Sequence, residues 1–195
     1  FFKILGLPEE EFPPLPRFDD ARVFTLGQQQ LRDGLKKTSY AISTDETRYV
    51  LNGVYMTFKD DKLTVVATDG RRLALTEHEI ELPKNSETEF ILPTKAVAEL
   101  QRMLGDKGDV KLSIGENRLI AQIDRTTIVS KLVEGTYPNF RQVIPAEAKE
   151  RVSLEREVFL AALHRASILV SEKSQSIKLQ FTKNKLIITA VTPEV

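Results

Sequence analysis

Three groups of residues in this chain could do chemistry. The first is the pair of histidines, His78 and His164, which lie far apart in the sequence. Neither stands in an HxxxH or HExxH spacing, so no histidine-built metal site is expected. The second is the carboxylate pair Asp60-Asp61, which with Asp69 could hold a divalent cation for hydrolytic or nucleotide chemistry. Its setting, Phe58-Lys59-Asp60-Asp61-Lys62-Leu63, reads better as the polar tip of a hairpin. The third is Ala67-Thr68-Asp69-Gly70-Arg71-Arg72-Leu73-Ala74-Leu75, where Asp-Gly offers the two positive-φ positions of a type I′ turn. A turn alone does not call for two consecutive arginines followed by Leu73, so this segment is the strongest candidate for a specific role. There are no cysteines. That removes disulfides, thiolate metal sites and thiol nucleophiles, and points to a reducing, cytoplasmic compartment. No GxxxxGK[ST], GxGxxG or GxSxG pattern occurs, so neither a nucleotide cradle nor a nucleophile elbow is expected, and no cofactor.

The elements that must carry these residues are those of an ordinary globular chain. Of the 195 residues 41% are hydrophobic and 29% charged, with 28 basic and 28 acidic side chains, so any electrostatic role must come from how charges are distributed. Leu31, Leu35, Thr38 and Ile42 share one face of a predicted helix, with Gln29, Arg32 and Lys36 on the other. A second helix opens at Pro93-Thr94 and closes at Gly105, with Val97, Leu100 and Leu104 inward and Lys95, Glu99 and Arg102 outward. The outward groups are mildly basic: Arg32, Lys36 and Lys37 against Asp33, then Lys95, Arg102 and Lys107 against Glu99 and Asp106. Short apolar or alternating runs predict strands over Val50–Phe58, Leu63–Thr68, Arg72–Glu77, Val110–Ile114, Leu119–Ile123 and Thr127–Leu132. The fold class is therefore α+β, antiparallel hairpins with helices packed on one side.

The chain also repeats itself. Val23-Phe24-Thr25-Leu26 and the residues after it match Arg151-Val152-Ser153-Leu154 and its sequel at an offset of about 128 residues, pairing Leu26 with Leu154, Leu35 with Leu163 and Ser39 with Ser167. Phe58–Ala67 resembles Phe181–Ala190, and Phe12-Pro13-Pro14-Leu15 echoes Tyr137-Pro138-Asn139-Phe140. So long a period suits tandem domains rather than solenoid units. The expected organisation is the tail of one domain over 1–17, a complete second domain over 18–145, and the opening of a third over 146–195. The absence of an initiator Met and the stop after an apolar strand pattern fit a piece of a longer chain.

Several segments in order resemble the bacterial DNA polymerase III β-subunit family of sliding clamps. They are Arg48-Tyr49-Val50-Leu51-Asn52-Gly53, the Ala67–Ala74 segment, Ser130-Lys131-Leu132-Val133-Glu134-Gly135-Thr136-Tyr137-Pro138-Asn139-Phe140, Ala166-Ser167-Ile168-Leu169 and Ser171-Glu172-Lys173. The resemblance implies a clamp fold of tandem domains, with antiparallel sheets outside and two helices lining the inner face of each. It implies a non-catalytic processivity factor that encircles duplex DNA without reading its sequence, and no membrane. The implied partners are the DNA polymerase III α subunit, the clamp loader δ subunit and other proteins with a clamp-binding linear motif. In the family that motif enters a cleft between the second and third domains. Matched position by position, its second-domain wall is Leu51, Thr68, Gly70, Arg71, Arg72, Leu73, Pro138 and Val143. The family often has His where Arg71 stands. By the same resemblance Arg32, Lys36, Lys37, Arg48, Tyr49, Lys95 and Arg102 face DNA. Ile168 and Leu169 belong to the contact that closes a homodimeric ring, a contact this chain alone would not complete.

Two other classes fit the residues less well: a metal-dependent hydrolase or nucleotide-dependent enzyme on an antiparallel scaffold, using Asp60, Asp61 and Asp69, and a sequence-specific DNA-binding protein. A ligand that binds the native state raises its melting temperature. On the clamp reading, Mg²⁺ or Mn²⁺ leaves the melting temperature of the protein unmoved; a saturable rise would favour the metal-dependent enzyme.

Overall fold

Residues 2–11, 21–146, 150–170 and 176–190 are described by the computed structural model. The boundary expected after residue 17, the Ser171-Glu172-Lys173 segment and the last five residues lie outside them. The chain forms two compact units, Phe1–Val143 and Ile144–Val195.

In the first unit one antiparallel sheet joins β1 (Arg22–Gly27), β6 (Asp109–Ile114), β7 (Arg118–Ile123) and β8 (Thr126–Lys131) in that order. The other has the order β4 (Leu73–Glu79), β3 (Lys62–Thr68), β2 (Gly53–Lys59), β5 (Thr88–Pro93). Strands β1, β6 and β7 alternate buried with more exposed residues as half-buried strands do, whereas β3 and β5 carry continuous buried runs. On β2, Val54, Met56 and Phe58 are buried in the main core, as are Leu63, Val65 and Ala67 of β3, Phe90 and Leu92 of β5, and Val110, Leu112 and Ile114 of β6. Onto this face pack α1 (Gln28–Thr38), through Leu31 and Leu35, and α2 (Thr94–Met103), through Ala96, Val97 and Leu100. Each Val, Leu, Ile, Met or Phe side chain among these contributes about 1.5–3 kcal/mol when taken from water. Both helices were legible in their apolar spacing, and their expected inward residues are buried.

The second core lies on the opposite face of the β2–β3–β4–β5 sheet. Leu51, Val66, Ile91, Tyr137 and Phe140 are buried there, with Val50, Tyr55, Leu73, Leu75 and Val133 packed around them. The covering segment is the chain after β8. It is pinned where Val133 pairs with Ile91, the Val133 N–H donating to the Ile91 carbonyl at 3.0 Å.

Polar groups fasten the two helices together. Gln28, 3% exposed, accepts from the Gly105 N–H at 2.8 Å and donates from Nε2 to the Asp109 carbonyl at 3.3 Å. Gln101 Nε2 donates to Ser39 Oγ at 2.9 Å.

Three expectations need correction. The strand expected from Val50 begins at Gly53, because Glu46–Leu51 forms 3-10 turns either side of a kink at Arg48. The strands β1 and β5 were not among those expected. The type I′ geometry expected at Asp69-Gly70 is found at Asp60-Asp61 instead, both at φ 53°, in the two-residue connection where Lys59 pairs with Lys62. At Asp69-Gly70 only the glycine has positive φ, at 85°.

In the second unit α3 (Arg156–Ser167) is followed by the hairpin β9 (Ile177–Thr182) and β10 (Lys185–Ala190). Two of the repeats form matching elements, α3 answering α1 and the β9–β10 hairpin answering β2–β3, whereas residues 151–154, paired in the sequence with part of β1, form no strand.

One buried spot under α1 is polar and unsatisfied. Thr76 and His78 project from alternate positions of β4 beneath Gly34, where an added Cβ would lie 3.3 Å from His78 Nε2 and 3.5 Å from Thr76 Oγ1. Among the described residues neither polar atom has a hydrogen-bond partner. Burial holds the His78 pKa below its ordinary value, Lys37 adds to the shift and Asp33 opposes it. The folded state therefore favours neutral imidazole, and between the depressed pKa and about 6.5 the unfolded chain binds more protons. Stability present above pH 6.5 is lost as the pH falls through that window. Urea denaturation across this range should show the decline in the native protein and a flatter profile in His78→Met; equal slopes would remove His78 from the account.

Candidate functional site

The Thr68–Leu73 connection leaves β3 and enters β4 as a loop locked by its own side chains. The Thr68 hydroxyl donates to the Arg72 carbonyl at 2.7 Å and accepts the Gly70 N–H at 3.1 Å. Asp69 Oδ1 accepts the N–H groups of Arg71 and Arg72 at 2.9 and 3.0 Å. Its Oδ2 accepts from Arg72 Nε at 3.1 Å. The two backbone donors, with the Arg72 side chain adding, hold the Asp69 carboxyl below the usual carboxylate range. These bonds replace the expected I′ turn, since an Asp side chain that captures the following N–H groups makes its own turn. The Arg72 guanidinium lies 5.7 Å above the centre of the Tyr40 ring, within cation–π reach. Gly70 suits this loop because its φ is positive, at 85°, a conformation that side chains disfavour.

Beside this loop the residues expected to line a docking cleft divide by environment. Leu51 is buried at 7% exposure in the second core and Leu73 is packed against its edge. Thr68 is half-buried, and Gly70, Arg71, Arg72 and Pro138 are exposed. Val143, ending a short 3-10 helix over Phe140–Val143, is 68% exposed. Tyr137 and Phe140, quoted in a motif but given no role by sequence reasoning, turn out to support this surface. Tyr55 stacks on Tyr137 at 4.7 Å and meets Phe140 edge-on at 6.0 Å. Tyr55 donates to Glu89 Oε2 at 2.8 Å, and burial followed by that bond raises its pKa. The Tyr137 hydroxyl is buried with no well-formed hydrogen bond among the described residues, and burial pushes its pKa up to about 12, a rise that a weak approach of the Thr68 backbone opposes.

The expected DNA-facing cations are not equivalent. Lys36, Lys37 and Lys95 are exposed and form no ion pair among the described residues. Arg32 instead donates to Asp106 Oδ1 at 2.6 Å and to the Leu104 carbonyl at 3.3 Å, which ties α1 to the end of α2 and corrects its reading as an outward charge. Arg102 bonds Glu99 at 2.6 Å. Arg48, 3.5 Å from Asp45, reaches toward Gly70, so it adjoins the Thr68–Leu73 loop. Tyr49 is 59% exposed. Ile168 and Leu169, at the end of α3, are 80% and 65% exposed.

Two of the three carboxylates expected of a metal-dependent enzyme, Asp61 and Asp69, serve the backbone instead. Asp61 Oδ1 accepts the Leu82 N–H at 3.2 Å, and Asp69 is engaged as described. Among the described residues no group of three or more His, Cys, Asp or Glu is placed to hold a metal ion. No helix among them is long and apolar enough to cross a membrane.

Comparison with known proteins covers nearly the whole chain. Residues 25–139 match the family model for the central domain of the DNA polymerase III beta subunit, and residues 141–195 match its C-terminal domain. The beta sliding clamp of Chlamydia pneumoniae is 35% identical over 97% of this chain, and that of Escherichia coli K12 is 35% identical over 99%. The chain spans about half the length of these relatives, 52% and 53%. Among solved structures, the Pseudomonas aeruginosa sliding clamp bound to griselimycin matches with a TM-score of 0.88 at 32% identity, covering 96% of this chain and 51% of that one. The Bacillus subtilis clamp matches at 0.90 and 29%, covering 97% and 50%.

An unpaired buried hydroxyl stabilises nothing, and removing it relieves a desolvation cost. Tyr137→Phe, which keeps the stack on Tyr55, should leave the free energy of unfolding unchanged or raise it by up to about 1 kcal/mol. A loss above that amount in urea denaturation would show that the hydroxyl has a partner.

Proposed function

This chain belongs to the DNA polymerase III β-subunit family, and from that membership we propose that the protein of which it forms part is a DNA sliding clamp. It encircles duplex DNA and gives the replicative polymerase its processivity without catalysing a reaction. The observation that carries this reading is the match to clamp sequences and clamp structures along almost the entire chain. We assign residues 1–17 to the end of a first domain, 18–145 to the central domain and 146–195 to the start of a third.

Holding DNA without reading it requires cations that meet phosphates and ignore base edges. Lys36, Lys37 and Lys95 suit that task as exposed charges on the two helices, unpaired among the described residues, and Arg48 and Tyr49 add a loop contact. Arg32 contributes less than its position on α1 implied, because its guanidinium is engaged by Asp106. Arg102 is held by Glu99 and is available to phosphate only in exchange for that contact.

Partner proteins dock by a short linear motif onto the wall formed by Leu51, Thr68, Gly70, Arg71, Arg72, Leu73, Pro138 and Val143. The polymerase III α subunit and the clamp loader δ subunit are the expected owners of that motif. Apolar anchors seated in a pocket, with an arginine at its rim, are the usual source of such affinity. Leu51 and Leu73 provide the apolar floor, backed by the second core. Arg72 provides the rim. Ile168 and Leu169 supply the apolar part of the subunit contact in a homodimeric ring, and the clamp works in the cytoplasm.

The test of the docking wall is a fluorescence titration of full-length protein with a labelled peptide copied from the clamp-binding motif of the polymerase α subunit. Leu73→Ala removes apolar contact area and should weaken binding about tenfold or more, with Arg72→Ala also weakening it. Unchanged affinity in both variants would overturn the assignment.

A further inference from the structure

Arg72 is a long, exposed side chain, and an unrestrained arginine loses rotamer entropy each time it meets a ligand. Here it is not unrestrained. One carboxylate, Asp69, holds both its backbone N–H and its Nε, at 3.0 and 3.1 Å. The same carboxylate holds the Arg71 N–H, and Thr68 closes the loop from the other side by donating to the Arg72 carbonyl. Tyr40, from the turn after α1, lies under the guanidinium. The Asp69 side chain is only 23% exposed although it sits in a surface loop, so it is turned toward the loop rather than toward solvent. With Nε taken by Asp69 and one face covered by Tyr40, the guanidinium keeps its terminal Nη groups and its other face for an incoming ligand.

We infer that Asp69 and Tyr40 are positioning residues that fix the Arg72 guanidinium in its ligand-receiving orientation, so that the docking peptide meets a preorganised cation. This rests on the docking wall proposed above and deepens it. Neither residue touches the peptide; both act through Arg72. Preorganisation of this kind raises affinity by removing an ordering cost rather than by adding a contact.

The design of Asp69 allows its two tasks to be separated. In Asp69→Asn the Oδ1 oxygen still accepts the Arg71 and Arg72 N–H groups, so the turn survives. The amide that replaces Oδ2 cannot accept from Arg72 Nε, so the side chain is released. Tyr40→Leu removes the aromatic face and keeps apolar bulk.

The experiment is a double-mutant cycle in the full-length protein, read by fluorescence anisotropy with the labelled polymerase motif peptide. Thermal melting serves as a control that each variant is folded. Asp69→Asn and Tyr40→Leu should each weaken binding by about two- to fivefold, the range of a partly exposed ion pair or cation–π contact. In an Arg72→Ala background neither change should have any further effect, because the residue they act on is gone. A loss of equal size in both backgrounds would overturn the inference by showing that Asp69 and Tyr40 act on the peptide directly or through the loop backbone. It would also fall if Arg72→Ala weakened binding while Asp69→Asn and Tyr40→Leu did not. Should Asp69→Asn fail to fold, the Tyr40→Leu cycle decides the question with the same two outcomes. Unchanged affinity in both Arg72→Ala and Leu73→Ala would defeat the docking wall itself, an outcome separate from these.

Discussion

The arrangement of this molecule depends on one pairing, that of Val133 with Ile91. Through it the chain leaving the first sheet is laid across the outer face of the second, and Tyr137 and Phe140 are carried onto Leu51, Val66 and Ile91. A sheet can bury its two faces only if something covers each. On the inner face the cover is the helix pair. On the outer face it is this returning segment, and the small core beneath it is what holds Leu51 and Leu73 in place. The arginine-bearing loop joins β3 to β4, so it stands on the same sheet that the returning segment covers. Disturbing the Val133 pairing would reach the proposed docking wall without altering any residue in it.

Charge is organised on the same economy of parts. The net charge is zero, yet the cations are not interchangeable. Arg32 and Arg102 are drawn into contacts with Asp106 and Glu99, Arg72 is held by Asp69, and Lys36, Lys37 and Lys95 are left open to solvent. The arginines thus serve geometry, which suits a planar fork that bonds in fixed directions, while the lysines supply mobile positive charge to the helix faces. A surface that slides along phosphates needs the second kind and is hindered by too many of the first.

Much of this could be read in the sequence. Apolar spacing located α1 and α2 with their buried residues, and the long repeat pairs the segments that form α1 and α3 and those that hold β3 and β10. The strand β5 was hidden because both its faces are covered: Phe90, Ile91 and Leu92 are all buried, so the alternation that marks a half-buried strand is missing. The Asp-Gly pair misled because Asp serves two kinds of turn, one through positive φ and one through its carboxylate, and the choice depends on which N–H groups are free to be captured. The tie between Arg32 and Asp106 joins residues 74 apart in the chain, and no local pattern announces such a partner. Among the site residues, Arg72 and Leu73 stood out by their neighbours, whereas Tyr40 acquires its part only when the fold brings it beneath Arg72.

We propose that the full-length protein holds DNA by enclosing it, with the lysines of the helix faces steering and the docking wall recruiting partners. It is tested most directly by loading the full-length protein onto nicked circular duplex DNA with its clamp loader and ATP, isolating the complex in high salt, and cutting the circle. Salt dissolves contacts made by phosphate attraction but cannot open a closed link. The account predicts that protein remains on the intact circle and is lost from the linear form. Equal loss from both forms would contradict it.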